Sequence, residues 1–135
     1  MNVIVGSGLV GRITEVGPDW AKVLSIIADN SNVSATLLST EEHLIVSGDL
    51  ELYSQGSIRF SQLIDREEKV THGDKIVTSN ISDKYLPGIL IGYIESIDVD
   101  SNNLTKSGEV TPAVDFGHLD EVLVILDKKQ TIDEE

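Results

Sequence analysis

Apolar residues recur at every second position in short runs along this chain, and the gaps between the runs are filled with Gly, Pro, Asn, Asp and Ser. A period of two sends successive side chains to opposite faces of an extended backbone, so the pattern predicts strands with one buried face. Val33, Ala35 and Leu37 alternate with Ser34 and Thr36 in the clearest case. The runs Leu9 to Val16 and Lys22 to Ala28 flank Gly17-Pro18-Asp19-Trp20, where proline pre-sets one corner and aspartate follows it, and together they read as a hairpin. Further strands are expected over Leu44 to Val46, Leu50 to Tyr53, Ile58 to Ile64, Lys75 to Thr78, Ile89 to Val99, Val110 to Val114 and Val122 to Leu126. Gly73-Asp74 and Pro87-Gly88 supply the turns that lead into two of them. Residues 116–121 have room for one helical turn, with Asp115 as its N-cap. Nothing of comparable length carries a helical stripe, so the fold class is all-β, and closely spaced short strands point to barrels or a sandwich. A polar interruption at Ser39 to Glu42 divides the chain into a first β lobe over residues 1–40 and a second lobe with closing strands over 41–126.

Composition sharpens this picture. Aromatic residues make up only 4% of the 135 residues, so the core must be filled by Ile, Val and Leu, whose β-branched members suit a pleated sheet. The formal net charge is −13, and no basic cluster exceeds Lys128-Lys129. Binding to nucleic acid draws on Lys and Arg displacing counterions, and an anionic bilayer repels such a surface, so both partners are excluded. Residues 127–135 read as a solvated acidic tail. The absence of cysteine rules out disulfides and thiolate zinc sites. No run of 18 apolar residues and no basic-then-apolar leader occurs, so any membrane tether is expected to lie outside this stretch.

The candidate chemistry is thin. Gly6-Ser7-Gly8-Leu9-Val10-Gly11, with Asp29 downstream, spells a dinucleotide fingerprint. That chemistry needs a helix to begin inside the glycines, whereas Arg12 to Val16 continues as strand, so the glycines are expected to admit a bulge or close strand packing. Asp98, Asp100, Asn102 and Glu109 match places in a calcium loop, yet Asn103 stands where glycine belongs and both flanks read as strands. His43, His72 and His118 are scattered, and Ser47-Gly48-Asp49 is not a nucleophile elbow. Neither a catalytic residue, a metal nor a cofactor is therefore assigned. Trp20 at a hairpin tip either folds back onto the core, the favoured reading, or projects as a partner anchor, and Tyr85 faces the same choice.

Five segments in order carry a resemblance: GLVGRITEVGP at Gly8 to Pro18, KVLSIIAD at Lys22 to Asp29, GDKIVTSN at Gly73 to Asn80, LPGILIGYIESI at Leu86 to Ile97, and TPAVDFGHLDEVLVI at Thr111 to Ile125. Together they are similar to the MreC family of rod-shape-determining proteins, from about residue 1 to residue 126. The resemblance implies two small β-barrel-like lobes, one shaped like a chymotrypsin-type barrel without its catalytic triad. It implies structural duties for Gly8, Gly11, Gly17, Pro18, Gly73, Asp74, Pro87, Gly88, Pro112 and Asp115. At Asn80 the family usually has glycine, and asparagine accepts the positive φ expected of that turn. The chain opens inside what should be the first strand, which leaves the completeness of the first lobe open. The implied function is a non-enzymatic scaffold of cell-wall elongation, held outside the cytoplasmic membrane by an N-terminal anchor. It would associate with itself as oligomer or filament and bind the elongation penicillin-binding protein and other wall-synthesis membrane proteins. A trypsin-like hydrolase and an oligosaccharide- or small-molecule-binding barrel are the rival readings.

Overall fold

In the computed structural model, which describes residues 2–6, 8–64, 69–82, 84–102, 104–118 and 123–125, the alternating runs form two antiparallel sheets. The smaller sheet contains β1 (Asn2–Val5), β2 (Gly8–Val16), β3 (Ala21–Ser25) and β11 (Leu123–Ile125), in the order β11-β1-β2-β3. The larger contains β4 (Asn32–Leu37), β5 (His43–Ser47), β6 (Ile58–Leu63), β7 (Lys75–Thr78), β8 (Leu90–Ile94), β9 (Asp98–Val99) and β10 (Lys106–Pro112). Its order is β6-β5-β4-β7-β8-β10-β9, and an added pairing of β6 with β10 closes six of these strands into a barrel. The expected all-β architecture with a barrel-like lobe therefore holds.

The barrel interior follows from the period of two. Val33, Ala35 and Leu37 of β4, Leu44 and Val46 of β5 and Ile76 of β7 point inward and are buried, and a register shift against β7 lets Ile91 and Ile94 of β8, three apart, both join them. Aliphatic side chains do most of the filling, with Phe60 and Tyr85 as the buried rings. Each such side chain contributes about 1.5–3 kcal/mol when fully buried. On β6 the alternation slips: Gln62 takes a φ of 59° opposite a register shift in β10, and the extra residue lets both Phe60 and Leu63 face inward.

Several expectations are corrected. Leu50–Tyr53 is a single helical turn, α1, because Asp49 Oδ1 accepts from Leu52 N (2.9 Å) and Asp29 Oδ1 accepts from Leu50 N (2.9 Å), giving the first amides carboxylate partners that a strand lacks. The run Ile89 to Val99 is broken between β8 and β9, where Glu95 N and Ser96 N both donate to Glu109 O at 2.9 and 3.3 Å. Gly108 permits that bulge, since a Cβ there would lie 2.0 Å from Ser96 O. β10 starts at Lys106, ahead of the expected Val110, and β3 stops at Ser25, where the backbone turns through Ala28 and Ser31. β1 is an element that alternation alone did not single out. Residue 40 sits between β4 and β5, which pair with each other, so sheet membership does not change there. The smaller sheet draws instead on residues 2–25 and 123–125. The short helical turn is a 3-10 turn over Phe116–His118, with Asp115 Oδ1 accepting from Gly117 N at 3.0 Å. Residues 119–122, 126 and the acidic tail 127–135 lie outside the described residues.

The two sheets meet at a polar junction. Asn2, buried on β1, donates from Nδ2 to Lys84 O (2.9 Å) and accepts at Oδ1 from Leu86 N (2.8 Å). It thereby grips the backbone on either side of Tyr85. Nearby, Tyr53 and Phe116 meet edge to face at 5.5 Å, and Phe116 N donates to Tyr53 Oη at 3.0 Å.

Candidate docking surfaces

The β2–β3 hairpin projects from the smaller sheet. Its turn closes with Gly17 N donating to Trp20 O at 2.8 Å, Pro18 and Asp19 lying between. The Trp20 ring lies over the turn so closely that a Cβ on Gly17 would come within 2.1 Å of Nε1, which is why glycine stands there. Trp20 remains 52% exposed, with Val16 at 64% and Val23 at 44%. The favoured core reading of Trp20 is thus corrected: folding back onto its own turn uses one face of the ring and leaves the other to solvent. β3 ends its sheet, so alternate backbone amides and carbonyls along it have no strand partner within the sheet. Ala21, Lys22 and Val23 are all exposed on this edge.

Tyr85 behaves in the opposite way. It is 2% exposed, and burial pushes its phenol above the ordinary value of 10.0, opposed by the Arg12 guanidinium and the Ser31 hydroxyl that face it. Ser31 Oγ is itself buried and makes no hydrogen bond of good geometry. Tyr85 is therefore a junction residue and no partner contact, because Asn2 holds the backbone on both sides of it against β1.

The other residues expected in turns differ in their surroundings. Gly11 lies in β2 where a Cβ would stand 2.1 Å from Leu24 O, and Gly8 where it would stand 2.6 Å from Leu90 O of the barrel. Gly73 precedes β7, and the Asp74 carboxylate accepts from Thr71 N and Oγ1 at 2.9 and 3.1 Å. Pro87-Gly88 turns into β8, with Gly88 N donating to Thr78 O at 3.0 Å. Pro112 ends β10 opposite Gly92. Asn80 is exposed, and the positive φ expected of it is found instead at Glu41 (61°) and Gln62 (59°) among the described non-glycine residues.

No assembled catalytic group emerges from these positions. His43 Nδ1 stands 3.4 Å from Thr36 Oγ1 and 3.5 Å from Ser79 Oγ, so both hydroxyls crowd one ring nitrogen and no carboxylate bonds the other among the described residues. That differs from a triad, in which hydroxyl and carboxylate occupy opposite nitrogens. The glycines of the dinucleotide pattern sit at the start of β2, with no helix behind them. The Asp100 carboxylate is taken up by Thr105 and Ser107 hydroxyls at 2.5 and 2.7 Å, which hold it below its ordinary value and brace the hairpin tip. Among the described residues no three His, Asp or Glu side chains converge as a metal site, and no helix is long and apolar enough to cross a membrane.

Comparison with known families identifies the family and the fold. The family model described as "Rod shape-determining protein MreC, barrel core" matches residues 1–126.

The chain belongs to the MreC family.

A curated MreC relative, the cell shape-determining protein of Bacillus subtilis (strain 168), is 31% identical over 133 residues, covering 94% of this chain and 46% of its own length. The chain thus spans less than half the length of the curated MreC relatives it matches first. A solved MreC structure from Listeria monocytogenes superposes with a TM-score of 0.82 at 29% identity, covering 98% of this chain and 64% of that one. At lower identity the fold alone is shared. MreC in a complex with penicillin-binding protein PBP2 from Helicobacter pylori aligns at 13% identity, TM-score 0.64, over 81% of this chain and 64% of that one. The major periplasmic domain of an MreC described as a cell shape-determining filament aligns at 19%, TM-score 0.65, over 84% and 68%. Among the surface features, the free edge of β3 and the exposed Val16 and Val23 were not singled out from sequence. Ala21-Lys22-Val23 alternates as a half-buried strand would, so nothing local marks it as an exposed edge.

Proposed function

We propose that this domain is the partner-docking part of a cell-shape scaffold, working outside the cytoplasmic membrane and anchored there by a segment of the full-length protein. It carries no chemistry of its own. It acts by associating with further copies of itself and by binding the elongation penicillin-binding protein and other wall-synthesis membrane proteins, so that their positions determine rod shape. The observation that carries this reading is the β2–β3 hairpin, which combines the open outer edge of β3 with the exposed Val16, Trp20 and Val23. An open edge supplies backbone hydrogen bonds to an incoming strand, and an aromatic anchor supplies contact area. Membership of a shape-determining family and the complex and filament reported for distant relatives support it. The crowding of both hydroxyls onto His43 Nδ1 supports the absence of hydrolase chemistry.

The test is sedimentation of the purified chain at rising concentration, together with titration by the soluble domain of the elongation penicillin-binding protein from the same cell. Concentration-dependent association and saturable binding are expected, each weakened about tenfold or more in Trp20→Ala, which corresponds to about 1.4 kcal/mol. A chain that stays monomeric and ignores that partner overturns the proposal, as does covalent labelling of Ser79 by a fluorophosphonate.

A further inference from the structure

On the outer wall of the barrel, Thr36 of β4 lies directly opposite His43 of β5 on one side and Val77 of β7 on the other. These three outward side chains floor a groove of about 370 Å³, with Leu38 and Glu41 on one flank and Pro87 on the other. The β4–β5 turn holds the first flank through Glu41 N donating to Leu37 O (2.8 Å) and Leu37 N donating to Glu42 O (3.0 Å). Glu41 itself sits at φ 61°, in the left-handed region that glycine or asparagine occupies at least cost. Glycine would make the same turn without strain, so what the glutamate adds is a carboxylate at the lip of the groove. No ion pair engages that carboxylate among the described residues.

We propose that this groove receives a lysine or arginine side chain of a protein partner, its methylene stem lying along Leu38, Val77 and Pro87 and its charged head meeting Glu41. This deepens, and rests on, the reading of the domain as a docking scaffold. Long cationic side chains bury their stems on apolar walls and keep the head polar, which suits a groove that is apolar along its flanks and acidic at one end. A cavity of this size holds one such side chain. Among the described residues no Phe, Tyr or Trp lines it, so it lacks the broad apolar stacking face that a sugar ring would use. The net charge of −13 raises the local concentration of cationic partners and repels acidic ones. The His43 ring, set between the Thr36 and Ser79 hydroxyls, fixes the floor.

The experiment is an amide-resolved NMR titration of the whole chain with three capped amino acids: acetyl-lysine, acetyl-arginine and acetyl-norleucine N-methylamides. The lysine or arginine probe, and so the preferred head group, should produce saturable shifts confined to Leu38, Glu41, His43, Val77 and Gly88. Norleucine should bind at least fivefold more weakly. Glu41→Gly should fold at least as well, since it relieves the positive φ, yet lose the response, whereas Glu15→Gln on the β2–β3 hairpin should keep it. Equal binding of norleucine, an undiminished response in Glu41→Gly, no saturable shifts at all, or shifts spread over the whole acidic surface would each overturn the proposal. The probes involve no partner protein, so their failure leaves the sedimentation and partner-binding result standing.

Discussion

The barrel and the smaller sheet are made from the same kind of strand, yet they carry opposite properties. Six barrel strands close on each other, which removes their edges and encloses an interior of Ile, Val, Leu, Ala35 and Phe60. The smaller sheet stays open, and its own buried cluster is Val3, Val10 and Val114. It leaves the outer edge of β3 without a strand and leans on the barrel through Asn2, Gly8 and the Tyr85 segment. Closure gives rigidity and takes away adhesive backbone; an open sheet keeps its edge at the cost of needing support.

Mutations can break this comparison. Phe60→Ala, in the barrel interior, is expected to cost about 3–5 kcal/mol of unfolding free energy in denaturant melts. A much smaller loss would mean that the barrel is not the main source of stability. Asn2→Ala removes both junction hydrogen bonds and strands Lys84 O and Leu86 N, a loss of about 1–3 kcal/mol for a buried group left unpaired. Hydrogen exchange should then accelerate in β1 and β2 while β4 to β8 keep their protection; uniform acceleration would show one cooperative unit instead. Val23→Lys places a charge on the exposed edge and should change stability by less than about 0.5 kcal/mol, while suppressing concentration-dependent sedimentation.

The smallest effect is on pH. The Leu52 amide and the Arg59 guanidinium hold the Asp49 carboxyl below its ordinary 3.8, so its stabilising contribution is complete above that value and fades as pH falls through the lower folded one. Acid melts of Asp49→Asn should show a flatter loss than the parent chain. Tyr85 works in the other direction: its raised phenol leaves stability intact below pH 10.0 and erodes it as pH climbs further. An alkaline transition unchanged in Tyr85→Phe would sink that assignment.

What could be read from sequence was what neighbouring residues decide. The alternation over Val33 to Leu37, the Gly17-Pro18 turn and the cap at Asp115 rest on local backbone preferences. Leu50 to Tyr53 alternates as a strand would, and only Asp29, 21 residues upstream, together with Asp49, makes it helical. The break after Ile94 depends on Gly108 across the ladder. Tyr85 sits beside a turn whether it faces in or out, and its burial is decided by Asn2 at the far end of the chain. The groove was hidden for the same reason: Thr36, His43 and Val77 become neighbours through pairing, and nothing in Leu38-Ser39-Thr40-Glu41 announces a glutamate with positive φ.

The single tryptophan of the chain stands on the hairpin tip, half in water, away from the barrel interior. Its emission is consequently a natural optical reporter with an unusual bias. Melting of the barrel will scarcely change its colour, whereas anything that settles over the β2–β3 tip will shift it toward the blue.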